Sequence, residues 1–83
     1  MNKVMIQLTI PVTGNSYDIL LPKVLSVAQA TRLMASFFKG MMGGAYMPDE
    51  TAALCDMESG RIYDINASVD RLHLKNGSRL MLI

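Results

Sequence analysis

Tryptophan is absent from this 83-residue chain, and cysteine and histidine each occur once. A lone Cys55 excludes an intramolecular disulfide framework. Together with a lone His73 it also excludes zinc sites of the usual multi-cysteine kind. Excess charge is missing too: eight Lys and Arg stand against seven Asp and Glu, a net charge of +1. That balance lacks the basic footprint of a nucleic-acid binder or a membrane-surface protein. Apolar runs are interrupted by Pro, Gly, Asn and Ser well short of the roughly 20 residues needed to span a bilayer, so direct membrane insertion is not expected. Lys3 before apolar residues imitates a signal peptide only superficially, because Val4, Ile6, Leu8 and Ile10 alternate with Met5, Gln7 and Thr9 instead of forming a continuous apolar stretch. The expectation is a cytoplasmic chain with a reduced Cys55. The triplets Asn66-Ala67-Ser68 and Asn76-Gly77-Ser78 then read as turn composition and not as glycosylation sites.

What is present is apolar content: 51% of residues are hydrophobic and the mean hydropathy is +0.25. Residues 1–83 have room for a single small domain with a thin core. Residues 3–10 put Val4, Ile6, Leu8 and Ile10 on one face of a strand. Pro11 and Thr13-Gly14-Asn15-Ser16 supply a turn, and Tyr17, Ile19 and Leu21 alternate again, which predicts a β-hairpin closed by Pro22. Ser26 followed three residues later by Gln29 forms a capping box and opens a helix of about 14 residues. Ala30, Leu33, Met34, Phe37 and Met41 are the expected buried stripe, with Phe38 beside it and stops at Gly40 and Gly43-Gly44. Strands are expected over 51–57 and 61–65 around the turn Glu58-Ser59-Gly60. A helical turn over 68–72 and a last strand, 79–83, launched by Asn76-Gly77, complete the order.

That order and spacing resemble the ubiquitin-like β-grasp fold, an α+β architecture in which a mixed four- to five-stranded sheet packs on one helix (ββαββ, with a short helical turn before the last strand). Within it the chain looks most like the YukD/EsaB family of small ubiquitin-like proteins of Gram-positive type VII (WXG100) secretion systems. The resemblance rests on Val4-x-Ile6-x-Leu8-x-Ile10, on Tyr17-Asp18-Ile19-x-Leu21 followed by Val27, and above all on Val69-x-x-x-x-Leu74-x-Asn76-Gly77-x-Arg79-Leu80-x-Leu82. The Met- and Gly-rich residues 40–47 depart from the family pattern. The resemblance implies a cytosolic accessory or regulatory component that docks on protein components of a secretion apparatus, such as membrane-anchored or ATPase subunits, with a second copy of the chain as a further candidate partner. A modifier or sulfur carrier of the same fold works through a C-terminal Gly-Gly tail, whereas this sequence ends at Ile83 and carries Gly-Gly only at 43–44. Conjugation is therefore disfavoured, and a ubiquitin-like scaffold unrelated to secretion stays open.

No residue constellation supports catalysis, and no cofactor or metal is expected. Cys55 lies in a strand with no histidine nearby in sequence, which suits a structural thiol better than a nucleophile. His73 reads as a solvated turn residue, and Asp49-Glu50 as a solvated loop pair. Gly40 and Gly43-Gly44 lack the Lys-Ser/Thr that completes a phosphate loop. The eight methionines are the more informative feature. Met5 and Met81 fall on the strand phase opposite to the core residues, and adjacent central strands would make them neighbours there. The expected protein-binding face is Met5, Gln7, Cys55, Met57, Met81 and Ile83, because clustered exposed apolar residues mark interaction surfaces and methionine adapts to varied partners.

Overall fold

The computed structural model describes residues 2–11, 13–41 and 52–83, and side chains in α1 as far as Phe38. The expected roles of Met41, Gly43-Gly44, Asp49-Glu50 and the Met-Gly-rich segment lie outside the described side chains and residues. Among the described residues, four strands, one α-helix and one 3-10 turn follow one another as β1 Lys3–Ile10, β2 Asn15–Pro22, α1 Val27–Met41, β3 Leu54–Asp56, the turn Val69–Leu72 and β4 Ser78–Leu82. The sheet order is β2-β1-β4-β3. β1 pairs antiparallel with β2 and parallel with β4, and β3 pairs antiparallel with β4, so the sheet is mixed.

Alternation decides which strand face is buried. Val4, Ile6, Leu8 and Ile10 of β1 are all buried, as are Leu21, Leu54, Leu80 and Leu82. They meet Val27, Ala30, Met34 and Phe38 of α1 and Val69 of the 3-10 turn in one core. The helix stripe differs from the sequence expectation. Leu33 and Phe37 are about half exposed, while Phe38 is fully buried and stacks at 5.0 Å against the Tyr17 ring of β2. Apolar residues cover so broad an arc of this helix that composition does not decide which half meets the sheet. Val27 and Thr31 complete the buried side, the Thr31 hydroxyl being satisfied by the Val27 carbonyl at 2.8 Å.

The helix start forms as the capping box requires. The Gln29 N–H donates to Ser26 Oγ at 3.1 Å, and the Ser26 N–H donates to Gln29 Oε1 at 3.0 Å. The Val27 and Ala28 N–H groups donate to the carbonyls of Ala67 and Ile65. All four free N–H groups of the helix start, from Ser26 to Gln29, are thereby occupied by the chain itself, which leaves no anion site there. Ser68 caps the 3-10 turn by accepting from the Arg71 N–H, as expected for 68–72.

Two strand expectations shorten. Of the described residues 52–57 only Leu54–Asp56 is strand, and 61–65 contributes a single bridge between Ile62 and Cys55. The Asp56 N–H to Arg61 carbonyl and Tyr63 N–H to Leu54 carbonyl bonds flank that bridge. Gly77, at φ +94°, makes the turn into β4. There the Met5 N–H donates to Asn76 Oδ1 at 2.9 Å and the Gly77 N–H to the Met5 carbonyl at 2.8 Å, which locks β4 to β1.

Candidate functional site

The sheet face away from α1 is built by the residues that alternate with the core. Strand registers arrange it in rows. Leu20 of β2 sits opposite Met5 of β1. The next row runs Asp18, Gln7, Arg79, with Met57 beside Arg79 through the Met57 N–H to Arg79 carbonyl bond. The third row runs Ser16, Thr9, Met81, Cys55, Ile62. Ile83 lies beyond it, exchanging backbone hydrogen bonds with Ala53 in both directions.

These registers separate Met5 from Met81. Met81 pairs with Thr9, four residues along β1 from Met5, or roughly 13 Å at the usual strand rise. Adjacent strands alone do not make neighbours; the parallel register, set by the Asn76-Gly77 turn, does not align these two. Between them lies a polar band of Gln7, Arg79 and Asp18, with a 3.3 Å ion pair from Arg79 to Glu58; in the row of Met81 itself the Thr9 and Ser16 hydroxyls share a 2.8 Å hydrogen bond. The Arg79–Glu58 pair is exposed and contributes at most about 1 kcal/mol.

On this sheet face apolar exposure therefore concentrates in two places. One is the Met5–Leu20 pair. The other is larger and gathers Met57, Ile62 and Ile83, with Met81 partly exposed between them. Leu20 and Ile62 extend the face beyond the residues expected from the sequence; Leu20 follows from β2 alternation, and Ile62 only from the bridge to Cys55. Cys55 lies on this face by register but is fully buried, so it supports the patch from beneath and presents nothing to a partner. Burial pushes its thiol above the ordinary range, the reverse of what a nucleophile needs. At the rim, the Ser59 hydroxyl and then the Ser59 N–H hold the Asp56 carboxyl below its ordinary value, in the turn that carries Met57.

Among the described residues, no group of three His, Cys, Asp or Glu side chains could hold a metal ion. No described helix is long and apolar enough to cross a membrane.

No protein-family model and no curated protein matches the chain. Solved structures do. The ubiquitin-like domain of the Mycobacterium tuberculosis type VII secretion system protein ECCD1 is similar at 16% identity and a TM-score of 0.74, covering 100% of this chain and 99% of that one. A chain of the MycP5-free ESX-5 inner membrane complex is similar at 19% identity and a TM-score of 0.73; the whole of this chain spans only 21% of it. The UBL domain of Plasmodium falciparum Dsk2 is similar at 12% identity and a TM-score of 0.72, covering 96% of this chain and 95% of that one. At such identities the shared property is the fold, and with its mixed sheet on one helix the chain is a ubiquitin-like β-grasp.

Proposed function

We propose that this chain is a non-enzymatic interaction module of a type VII secretion apparatus, of YukD/EsaB type, acting in the cytoplasm by docking on other protein components. The observation that carries the secretion reading is the full-length likeness to the ECCD1 ubiquitin-like domain, joined by the likeness to a chain of an inner membrane complex. Recruitment to the inner face of the membrane through such a partner is compatible with a chain whose described helix is too short to insert.

Docking is favoured over catalysis by the chemistry of the face. Its thiol is buried and held protonated, while Met57, Ile62, Met81 and Ile83 offer an apolar patch with adaptable methionines. The assigned surface is this end of the sheet, with Gln7 and Arg79 as its polar border. Met5 and Leu20 form a separate contact at the other end. The likeness to the Dsk2 domain, of nearly equal TM-score, favours the second reading of a ubiquitin-like scaffold outside secretion.

Capture from a native membrane lysate on the immobilised protein distinguishes the two. Type VII membrane or ATPase components identified by mass spectrometry support the secretion reading. A saturable set of captured proteins containing none of them supports the scaffold.

A further inference from the structure

The net charge of +1 conceals an uneven distribution. One end of the sheet is formed by three segments, 2–5, 22–24 and 69–76, which backbone bonds tie together. The Lys23 N–H donates to the Asn2 carbonyl at 2.8 Å, the Asp70 N–H to the Lys23 carbonyl at 3.1 Å, and the Gly77 N–H to the Met5 carbonyl at 2.8 Å. These segments carry Lys3, Lys23, Arg71 and Lys75, together with His73, against a single acid, Asp70. None of the four cations forms an ion pair among the described residues, and all but the half-buried Lys23 are exposed. Asp18, Asp56, Glu58 and Asp64, which offset the charge of the chain, lie in other segments.

Between Lys3 and Lys23 lies an open depression of about 740 Å³, whose wall also includes Asn2, Pro22, Val24 and Asp70. Val24 is 84% exposed, more than any other large apolar residue described. The fold imposes that exposure. Lys23 is held by Asn2 and Asp70, and on the far side of Val24 the Leu25 carbonyl accepts from the Val69 N–H at 2.8 Å. A pinned loop thus holds an aliphatic side chain out to solvent in the midst of cations. An acidic protein segment would engage the cations and give Val24 no apolar contact. An anionic bilayer uses both, with lysine and arginine against headgroup phosphates and the aliphatic tip at the acyl boundary.

We propose that this end of the sheet is a lipid-facing surface: it binds membranes rich in anionic phospholipid, with Lys3, Lys23, Arg71 and Lys75 on headgroup phosphates and Val24 dipped between them. The contact is peripheral, and no described helix need cross the membrane. Met81 and Ile83 lie toward the opposite end of the sheet, so a membrane-bound chain leaves its apolar patch free for a protein. The proposal stands on the placement of charge and of Val24 and does not rest on the secretion reading.

The test is co-sedimentation of the protein with vesicles of phosphatidylglycerol and phosphatidylcholine, set against vesicles of phosphatidylcholine alone, with amide NMR signals followed in parallel. The expected result is saturable binding to the anionic vesicles only, weakening as salt rises from about 50 to about 300 mM. The amides of Lys3, Lys23, Val24, Arg71 and Lys75 should be perturbed most. Lys3→Gln with Lys23→Gln should weaken binding about tenfold or more. Arg32→Gln with Arg61→Gln removes the same charge from exposed positions elsewhere and should change binding by less than about twofold. Asp70→Asn should tighten it about threefold or more, and Val24→Ser should weaken it by a similar factor; circular dichroism checks that each variant is folded. The proposal is overturned by absence of binding to the anionic vesicles, by equal losses in the two double variants, or by a Val24→Ser protein that binds as the wild type does. A glutamate-rich peptide that binds the same amides more tightly than the vesicles would overturn it in favour of an acidic protein partner. Inorganic phosphate that moves those amides as fully as the vesicles do would overturn it in favour of a free anion.

Discussion

Ser26 is the residue on which the start of α1 turns, because its hydroxyl and the Gln29 amide each satisfy the other's backbone N–H. Ser26→Ala should lower stability by about 0.5–2 kcal/mol, and Ser26→Asp should be nearly neutral; denaturant midpoints give both values. At the sheet's far end, Leu82 is buried and Ile83 half exposed. Leu82→Ala should cost about 2–5 kcal/mol, and Ile83→Ala clearly less. Equal losses would contradict the assigned strand phase. Cys55 adds a pH dependence. Its folded thiol is raised by burial, so the folded chain keeps a proton that the unfolded chain releases as pH rises through the ordinary thiol range. The stabilisation is fully present at neutral pH and declines on the alkaline side. Tyr63, raised by burial and then by the Asp56 charge, adds a decline of the same sign at higher pH. Cys55→Ala should flatten the earlier part of that decline, measured as urea midpoints at about pH 7 and about pH 9.5. A slope unchanged by the substitution would assign the decline elsewhere.

At the scale of elements, α1 is where the structure departs most from what its residues suggest. Phe37 and Phe38 are adjacent and contact each other edge to face at 5.2 Å, but only Phe38 enters the core. Phe38→Ala should cost about 3–5 kcal/mol, whereas Phe37→Ala should cost less than half as much in the same melts. The strands were more legible. Strict alternation from Val4 to Ile10 and the turn residues before Asn15 were enough to place the hairpin, and Asn76-Gly77 the entry to β4. These are local signals, each carried within a few residues. The face was less legible because its composition depends on pairings between distant segments. The alternation puts Met5 and Met81 on one side, but only the Gly77–Met5 backbone bond and the Thr9–Met81 register show that they lie at opposite ends. Cys55 likewise alternates outward while being enclosed, and no local pattern distinguishes an outward residue that is covered from one that is bare. The 61–65 segment has strand-like residues but bonds β3 only around Ile62.

For the whole molecule, the two sheet faces differ in what they offer. The inner sheet face and one side of α1 hold the fold, and the outer face at Met57, Ile62, Met81 and Ile83 offers apolar contact. The central claim is that this outer patch docks the module on its protein partner. Met81→Lys with Ile83→Lys tests it most directly, because both positions lie outside the core while lysines there would be driven into an apolar interface. Circular dichroism should show the double variant folded, with a melting temperature only slightly lowered. Its affinity for a partner captured by the wild-type protein, measured by titration calorimetry, should fall at least tenfold, while Leu33→Ala with Phe37→Ala binds that partner as the wild type does. A folded double variant that binds the same partner with wild-type affinity would contradict the account.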